Sequence, residues 1–273
     1  MLDQTARARL TGWGRQVLRF VLPVNCTACG VPLKSDPVPF FCRGCWERIV
    51  PLQGPSCARC GQPFASEAAT SHTPDHQCQN CIERPPAYER AWTLYPYLPP
   101  LQDAICAFKY NGKYGLAKPL GRLMIQAIPA QFQVDFIIPV PLHPARLRAR
   151  EYNQSLLFAD QVGCYLGKPV VATNLVRVLA TDPQTTLSRQ ERLRNLRHAF
   201  AVRQPEGVRG RRILLIDDVF TTGTTLNECA ISLKKAGAAS VIALTLARTI
   251  DSYLVPDRIL AERSPQTLPA LGF

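Results

Sequence analysis

Apolar and polar positions change their period along this chain, and the change divides it. From Tyr88 onward, short apolar runs alternate with segments whose apolar residues recur every three to four positions. The runs predict strands at Ala91–Tyr97, Asp135–Val140, Asn174–Leu179, Ile213–Ile216 and Ser240–Ala247. The segments predict helices at Leu101–Tyr110, Leu116–Ile128, Tyr152–Leu166 and Thr224–Ala236. Strands alternating with helices imply an α/β fold with a parallel sheet, because parallel neighbours need a crossover that a helix supplies. Upstream, residues 5–22 place Leu10, Trp13, Val17, Leu18 and Val21 on one helical face, with most arginines elsewhere, and Pro23 ends the pattern. Such a basic amphipathic helix fits docking onto the body of the protein, or a membrane or nucleic-acid surface. Residues 251–273 lose periodicity and read as a tail.

Between Pro23 and Pro85-Pro86 the chain is short of apolar residues and rich in proline, too little to bury a core unaided, but it carries eight ordered cysteines. Cys26-x-x-Cys29 and Cys42-x-x-Cys45 form one set, Cys57-x-x-Cys60 and Cys78-x-x-Cys81 a second. That is the ligand spacing of tetrahedral, all-thiolate zinc sites, and a reducing compartment disfavours the disulfide alternative. Two consecutive ribbons fit best; a cross-braced pairing satisfies the same spacing. Four thiolates leave no open position, so the metal folds residues 24–85 and performs no chemistry. Gly30 and Gly61 follow their knuckles, where a tight turn brings N–H groups to the thiolates. His72 and His76 lie in the second ribbon's loop, where four cysteines already suffice and exposed loop positions are expected. Cys106, Cys164 and Cys229 fall in apolar periodic segments and are expected to be buried and inert. The layout is then an N-terminal helix at 1–22, a double ribbon at 23–87, an α/β domain at 88–250 and a tail at 251–273.

Composition adds bounds. The 273 residues, 47% hydrophobic, suffice for one medium domain with a smaller module. No apolar run approaches the roughly 18–20 residues of a membrane span. Asp3, Arg7, Arg9, Arg15 and Arg19 interrupt any signal-peptide core, so a soluble, cytoplasmic protein is expected. The net charge is +12, and residues 140–212 hold 13 Lys and Arg against 5 Asp and Glu. That excess serves either a solvated surface with phosphate-binding arginines or a nucleic-acid contact.

The densest chemistry lies at Ile213-Leu-Leu-Ile-Asp-Asp-Val-Phe-Thr-Thr-Gly-Thr-Thr225. Four aliphatic residues make a buried strand, two carboxylates stand at its carboxyl end, and a threonine–glycine loop enters a helix. Ligands of open α/β sheets bind outside the carboxyl ends of strands. A glycine turn opening a helix offers N–H donors and a positive dipole end to an anion. Thr221, Thr222, Gly223, Thr224 and Thr225 suit a phosphate, while Asp217 and Asp218 can accept from a vicinal diol; together they describe a ribose 5-phosphate site. Ile137-Ile-Pro-Val-Pro-Leu-His-Pro144 ends another strand in a proline-stiffened loop, followed by Arg146, Arg148 and Arg150, whose guanidinium groups suit phosphates. Gln184-Thr-Thr-Leu-Ser-Arg189, with Arg192, Arg194, Asn195 and Arg197, reads as a flap over the site or as a solvated helix.

The threonine loop with its acidic pair resembles the 5-phosphoribosyl-1-pyrophosphate (PRPP) signature of type I phosphoribosyltransferases, except that Phe220 stands where that family more often has an aliphatic residue. With the cysteine knuckles, Phe108-Lys-Tyr, Val140-Pro-Leu-His-Pro, Arg148-Ala-Arg-Glu-Tyr-Asn-Gln-Ser and Gln184-Thr-Thr-Leu-Ser, the chain resembles the ComF family from Cys26 to about Arg248. That resemblance implies a double zinc ribbon joined to a phosphoribosyltransferase-like parallel sheet. It implies that Asp217 and Asp218 hold the ribose hydroxyls, that Thr221–Thr225 hold the 5-phosphate, and that Lys109, Arg146 and Arg148 meet the pyrophosphate. Mg²⁺ would bridge pyrophosphate and ribose oxygens, mostly through waters. Displacement of pyrophosphate at C1 through an oxocarbenium-like state would then need positioning and charge stabilisation, with no covalent nucleophile. The family's link to natural competence implies single-stranded DNA or DNA-uptake proteins as partners; a PRPP sensor without turnover is the alternative. Glu151 departs from the pattern, standing where glycine is expected and setting an acid beside the pyrophosphate arginines.

Overall fold

A computed structural model describes residues 24–66, 75–128, 133–178 and 199–250. The expectations for residues 5–22, His72, the 184–197 segment and the 251–273 tail lie outside the described residues.

Four parallel strands form the main sheet: β1 (Arg90–Pro96), β2 (Phe136–Pro139), β5 (Arg212–Phe220) and β6 (Ser240–Arg248), in the order β1-β6-β5-β2. Two short strands, β3 (Leu175–Arg177) and β4 (Phe200–Val202), pair antiparallel beside it. Helices α3 (Leu101–Tyr110), α4 (Ala117–Gln126), α6 (Gln154–Leu166) and α7 (Thr224–Lys235) supply the crossovers. All four main strands carry long buried runs, as expected where both faces of a parallel sheet are covered. Leu214 and Ile216 of β5 face the core of α3, α4 and α6, while Ile213 and Leu215 face α7, the period-2 alternation of a strand between two layers.

Each ribbon carries a five-residue helix, α1 (Arg43–Glu47) and α2 (Gln79–Glu83). The ribbons are consecutive: the thiols of Cys26, Cys29, Cys42 and Cys45 form one group and those of Cys57, Cys60, Cys78 and Cys81 another, every sulfur within 4.8 Å of its groupmates. The cross-braced alternative is thereby removed. The two ribbons also straddle the sheet. Val38, Phe41, Cys26 and Cys45 of the first belong to the core of α3, α4 and α6, and Cys57, Cys60 and Cys81 of the second to the core of α7. The intervening chain crosses the β1 edge, where Leu52 N–H donates to Leu94 O (2.9 Å) and Ala91 N–H to Arg59 O (2.8 Å). An exposed strand edge is covered in this way. Gly61 makes the approach feasible: its φ is +69°, and a Cβ there would lie 2.8 Å from Ala91 O.

Two expectations need correction. Cys164 is exposed, because α6 buries Phe158, Ala159, Val162 and Gly163 and turns the next position outward. Cys106 is half-buried, with its thiol 3.3 Å from the Tyr97 hydroxyl, whereas Cys229 is buried as expected. The proline-stiffened loop after β2 ends at His143, and the arginines that follow stand on a helix, α5 (Pro144–Arg150). His143 Nδ1 accepts from Ala145 N–H at 3.2 Å, and Pro144 occupies the first turn, where its missing N–H costs nothing.

Candidate functional site

Because the strands are parallel, the carboxyl ends of β1, β2, β5 and β6 share one edge of the sheet. Asp217 and Asp218 stand in the last turns of β5. Asp217 is half-buried; its Oδ1 accepts from Ser155 Oγ (2.9 Å) and from Asp218 N–H (3.0 Å). Asp218 is buried and its Oδ2 lies 2.8 Å from Lys109 Nζ, which α3 delivers in its last turn. The structure thus brings Lys109 directly onto the acidic pair. Burial, and next the neighbouring Asp218 carboxylate, push the Asp217 carboxyl up to about 7, partly offset by Lys109 and by the two donors.

Ser155 reaches Asp217 because Asn153 starts α6. The Asn153 side chain caps Ser155 N–H (3.0 Å) and donates to Val140 O (3.0 Å), tying the helix start to the end of β2. The motif Tyr152-Asn-Gln-Ser therefore sets the geometry of the acidic pair. Tyr152 donates to Phe108 O and packs on the Phe108 ring, fixing the helix turn that carries Lys109. Gln154 is buried, and its Nε2 has no hydrogen-bond partner among the described residues.

The threonine loop turns at Gly223, whose φ of +75° a side chain would strain. Gly223 caps α7 without a side-chain bond of its own, and Thr224 N–H donates to Thr222 Oγ1 at 3.4 Å; an anion at this helix start would meet the remaining first-turn donors. The Thr222 and Thr224 hydroxyls lie 2.8 Å apart. Thr221 and Thr222 are exposed, Thr225 is half-buried and Thr224 is buried. Phe220 lies directly beneath the turn: a Cβ at Gly223 would sit 2.5 Å from its ring. Arg248 lies over that ring, its guanidinium carbon 4.8 Å from the centroid. Arg248 is buried and also donates to Cys60 O (2.8 Å) and Gln62 Oε1 (2.5 Å), so the second ribbon is tied to the ring that meets the loop. The aromatic departure at 220 has a physical function here as a ring in contact with both the loop and the guanidinium.

Of the arginines, Arg146 is half-buried; burial, and next the charge of Arg146, lower the Arg177 guanidinium on β3 from its ordinary value, partly offset by Cys229 and Asp217. Arg148 is exposed and lies about 200° around α5 from Arg146, away from that cluster. Arg150 stacks on Tyr110 at 4.8 Å and donates to Gln154 Oε1 at 3.4 Å. Arg177 had no distinguishing local signal, since a lone arginine in a short strand reads as an edge residue. Glu151 takes φ +64° at the end of α5, the left-handed position that explains the expected glycine, and its carboxylate accepts from the Tyr114 hydroxyl at 2.9 Å. The acid is thereby directed to Tyr114. His76 is exposed and its ring meets Phe64 edge-on at 5.2 Å; among the described residues both metal groups are all-cysteine, a donor set consistent with one structural zinc each.

Fold and site define a double zinc ribbon joined to a phosphoribosyltransferase-type domain. Residues 17–86 match the double zinc ribbon domain family and residues 152–263 the phosphoribosyl transferase domain family. The DNA utilization protein YhgH of Salmonella typhimurium is 33% identical over 235 residues, covering 84% of this chain and 99% of that protein. Competence protein F of Haemophilus influenzae is 32% identical over 215 residues, 76% of this chain and 90% of its own. Competence protein ComFC of Bacillus subtilis is 25% identical over 225 residues, 76% and 84% respectively. The chain belongs to the ComF family of competence and DNA utilization proteins. Among the described residues, no helix is long and apolar enough to cross a membrane.

Proposed function

We propose that this chain binds PRPP with Mg²⁺ at the carboxyl edge of its sheet and handles single-stranded DNA in the cytoplasm. The observation that carries the reading is the acidic pair and threonine loop, preorganised by Ser155, Lys109 and Phe220 around one strand end. The loop amides and threonine hydroxyls take the 5-phosphate, and the two aspartates take the ribose hydroxyls. Lys109 moves from Asp218 to the pyrophosphate as the diol arrives, so the buried carboxylate exchanges one partner for another. Arg146 and Arg177 add positive charge beside the leaving group. Arg148 faces away and is not assigned a contact. Mg²⁺ neutralises phosphate oxygens when PRPP is bound.

Displacement at C1 requires those cations in place before charge develops, and the site holds them without a covalent nucleophile. PRPP binding is common to a transferase and to a sensor; pyrophosphate release on adding an acceptor separates the two. The DNA assignment rests on the relatives' named roles and on the basic 140–212 stretch. Fluorescence anisotropy of a labelled single strand, titrated with protein at rising salt, tests it. Affinity that falls steeply with salt supports phosphate contacts, and a flat response removes the DNA assignment.

A further inference from the structure

A cleft of about 680 Å³ runs from the threonine loop outward between α7 and the second ribbon. It is lined by Thr221–Thr224 and by neither aspartate, so it opens from the phosphate loop apart from the acidic pair. Among the described residues no carboxylate lines it, while Arg84 and Arg248 do. Two amides in its wall are oriented by their partners. Gln62 Oε1 accepts from Arg248, and Asn227 Oδ1 accepts from Ala87 N–H at 2.8 Å. Guanidinium and backbone N–H can only donate, so both amide oxygens are committed and both NH₂ groups remain as donors to the cleft. Phe64, half-buried, adds an aromatic surface. The four thiolates of a zinc-loaded second ribbon carry a formal excess of negative charge, and Arg248, on the Cys60 carbonyl, stands between them and the loop. The cleft therefore presents donors, cations and a ring: the lining of a site for a phosphate-linked, base-bearing ligand. Its volume lies within the roughly 300–1,000 Å³ of small-molecule sites.

We propose that this cleft receives the penultimate nucleotide of a DNA strand whose 3′ end occupies the PRPP site. The proposal rests on the phosphate-loop assignment made above. With the terminal sugar on Asp217 and Asp218, its 3′ hydroxyl accepted by a carboxylate, the phosphodiester at its 5′ carbon falls in the threonine loop. The preceding nucleotide then continues beyond the loop, into the side where the cleft lies. PRPP and the strand end share the sugar and phosphate subsites and exclude one another. A strand blocked at its 3′ oxygen by phosphate sets that charge against two aspartates.

The test uses the full-length, zinc-loaded protein and a 5′-labelled oligothymidylate followed by anisotropy. The 3′-hydroxyl strand should bind at least tenfold more tightly than the same strand ending in 3′-phosphate, and PRPP with Mg²⁺ should displace it. Arg84→Gln removes an exposed cation from the cleft wall without touching the phosphate loop or its supports. It should weaken strand binding about tenfold while leaving PRPP affinity, zinc content and the circular dichroism spectrum unchanged. Equal binding of the two strand ends, or failure of PRPP to compete while it binds on its own, overturns the proposal and leaves the PRPP assignment standing. Absence of PRPP binding to the unmodified protein overturns the assignment beneath it, and the proposal with it.

Discussion

Replacing Gly223 with alanine adds one methyl group to the tightest turn of the phosphate loop. Two costs follow from the geometry. The residue keeps φ near +75°, a left-handed conformation that costs an L-residue about 1–2 kcal/mol. The new Cβ falls 2.5 Å from the tip of the Phe220 ring and 3.2 Å from the ring atoms on either side, and forcing a methyl into packed surroundings costs about 1–3 kcal/mol. Phe220 has little room to retreat, because it is buried and packed against Arg248, which is itself tied to the second ribbon. The combined cost is about 2–5 kcal/mol, divided between folding and the loop geometry that phosphate binding needs. Urea unfolding reads the first share and calorimetric titration with PRPP and Mg²⁺ the second, where each tenfold loss of affinity is about 1.4 kcal/mol. The Phe220→Leu background separates the causes: it removes the ring tip and leaves φ unchanged. The penalty of Gly223→Ala should then shrink by about 1–3 kcal/mol, a coupling that a double-mutant cycle measures. An alanine variant that folds and binds like the unmodified protein refutes the reasoning. So does the same penalty in both backgrounds.

Other perturbations probe the acidic pair and the helix junction. Lys109→Met strands two largely buried carboxylates without their cation and should cost about 3 kcal/mol of stability in urea unfolding; adding Asp218→Asn should recover much of it, and no recovery would mean that Lys109 acts elsewhere. Asp217 is raised from an ordinary carboxylate value of 3.8 to about 7, so between these values the folded chain holds more protons than the unfolded one. Stability from this group is therefore fully present below the lower value and declines as pH rises toward 7. Unfolding measured from pH 5.5 to 7.5 should show that decline relative to Asp217→Asn, and a difference that grows with pH would contradict the raised Asp217 carboxyl. At Glu151, glycine should be more stable than alanine by about 1 kcal/mol, since both lose the Tyr114 bond and only alanine keeps the left-handed strain; equal stabilities would place the strain elsewhere.

The sheet and its crossovers were legible because each is local: Leu101–Tyr110 emerges as a helix with the bounds that its period implies, and the apolar run before Asp217 is the central strand. The cysteine groups were legible because ligand spacing constrains short loops. What escaped was decided by partners distant in sequence or by segments too short to carry a period. The seven-residue α5 has three arginines and little apolar periodicity, and only Pro144 after a capping His143 marks its start. Arg177 gains its place over the Phe200 ring from the pairing of two three-residue strands. The ribbons read as an appended module, yet Phe41 and Cys57 enter opposite cores of the same sheet, and no local pattern announces which face each takes. Phe220 is a minor departure in the sequence, and its contacts with Gly223 and Arg248 arise only in the fold.

The central claim is that the acidic pair and the threonine loop form a PRPP site. Calorimetric titration of the zinc-loaded protein and of its Asp217→Asn, Asp218→Asn double variant with PRPP and Mg²⁺ addresses it directly. The account predicts saturable binding by the first and none detectable by the second, with both giving the same circular dichroism spectrum. Undiminished binding by the folded double variant would contradict it.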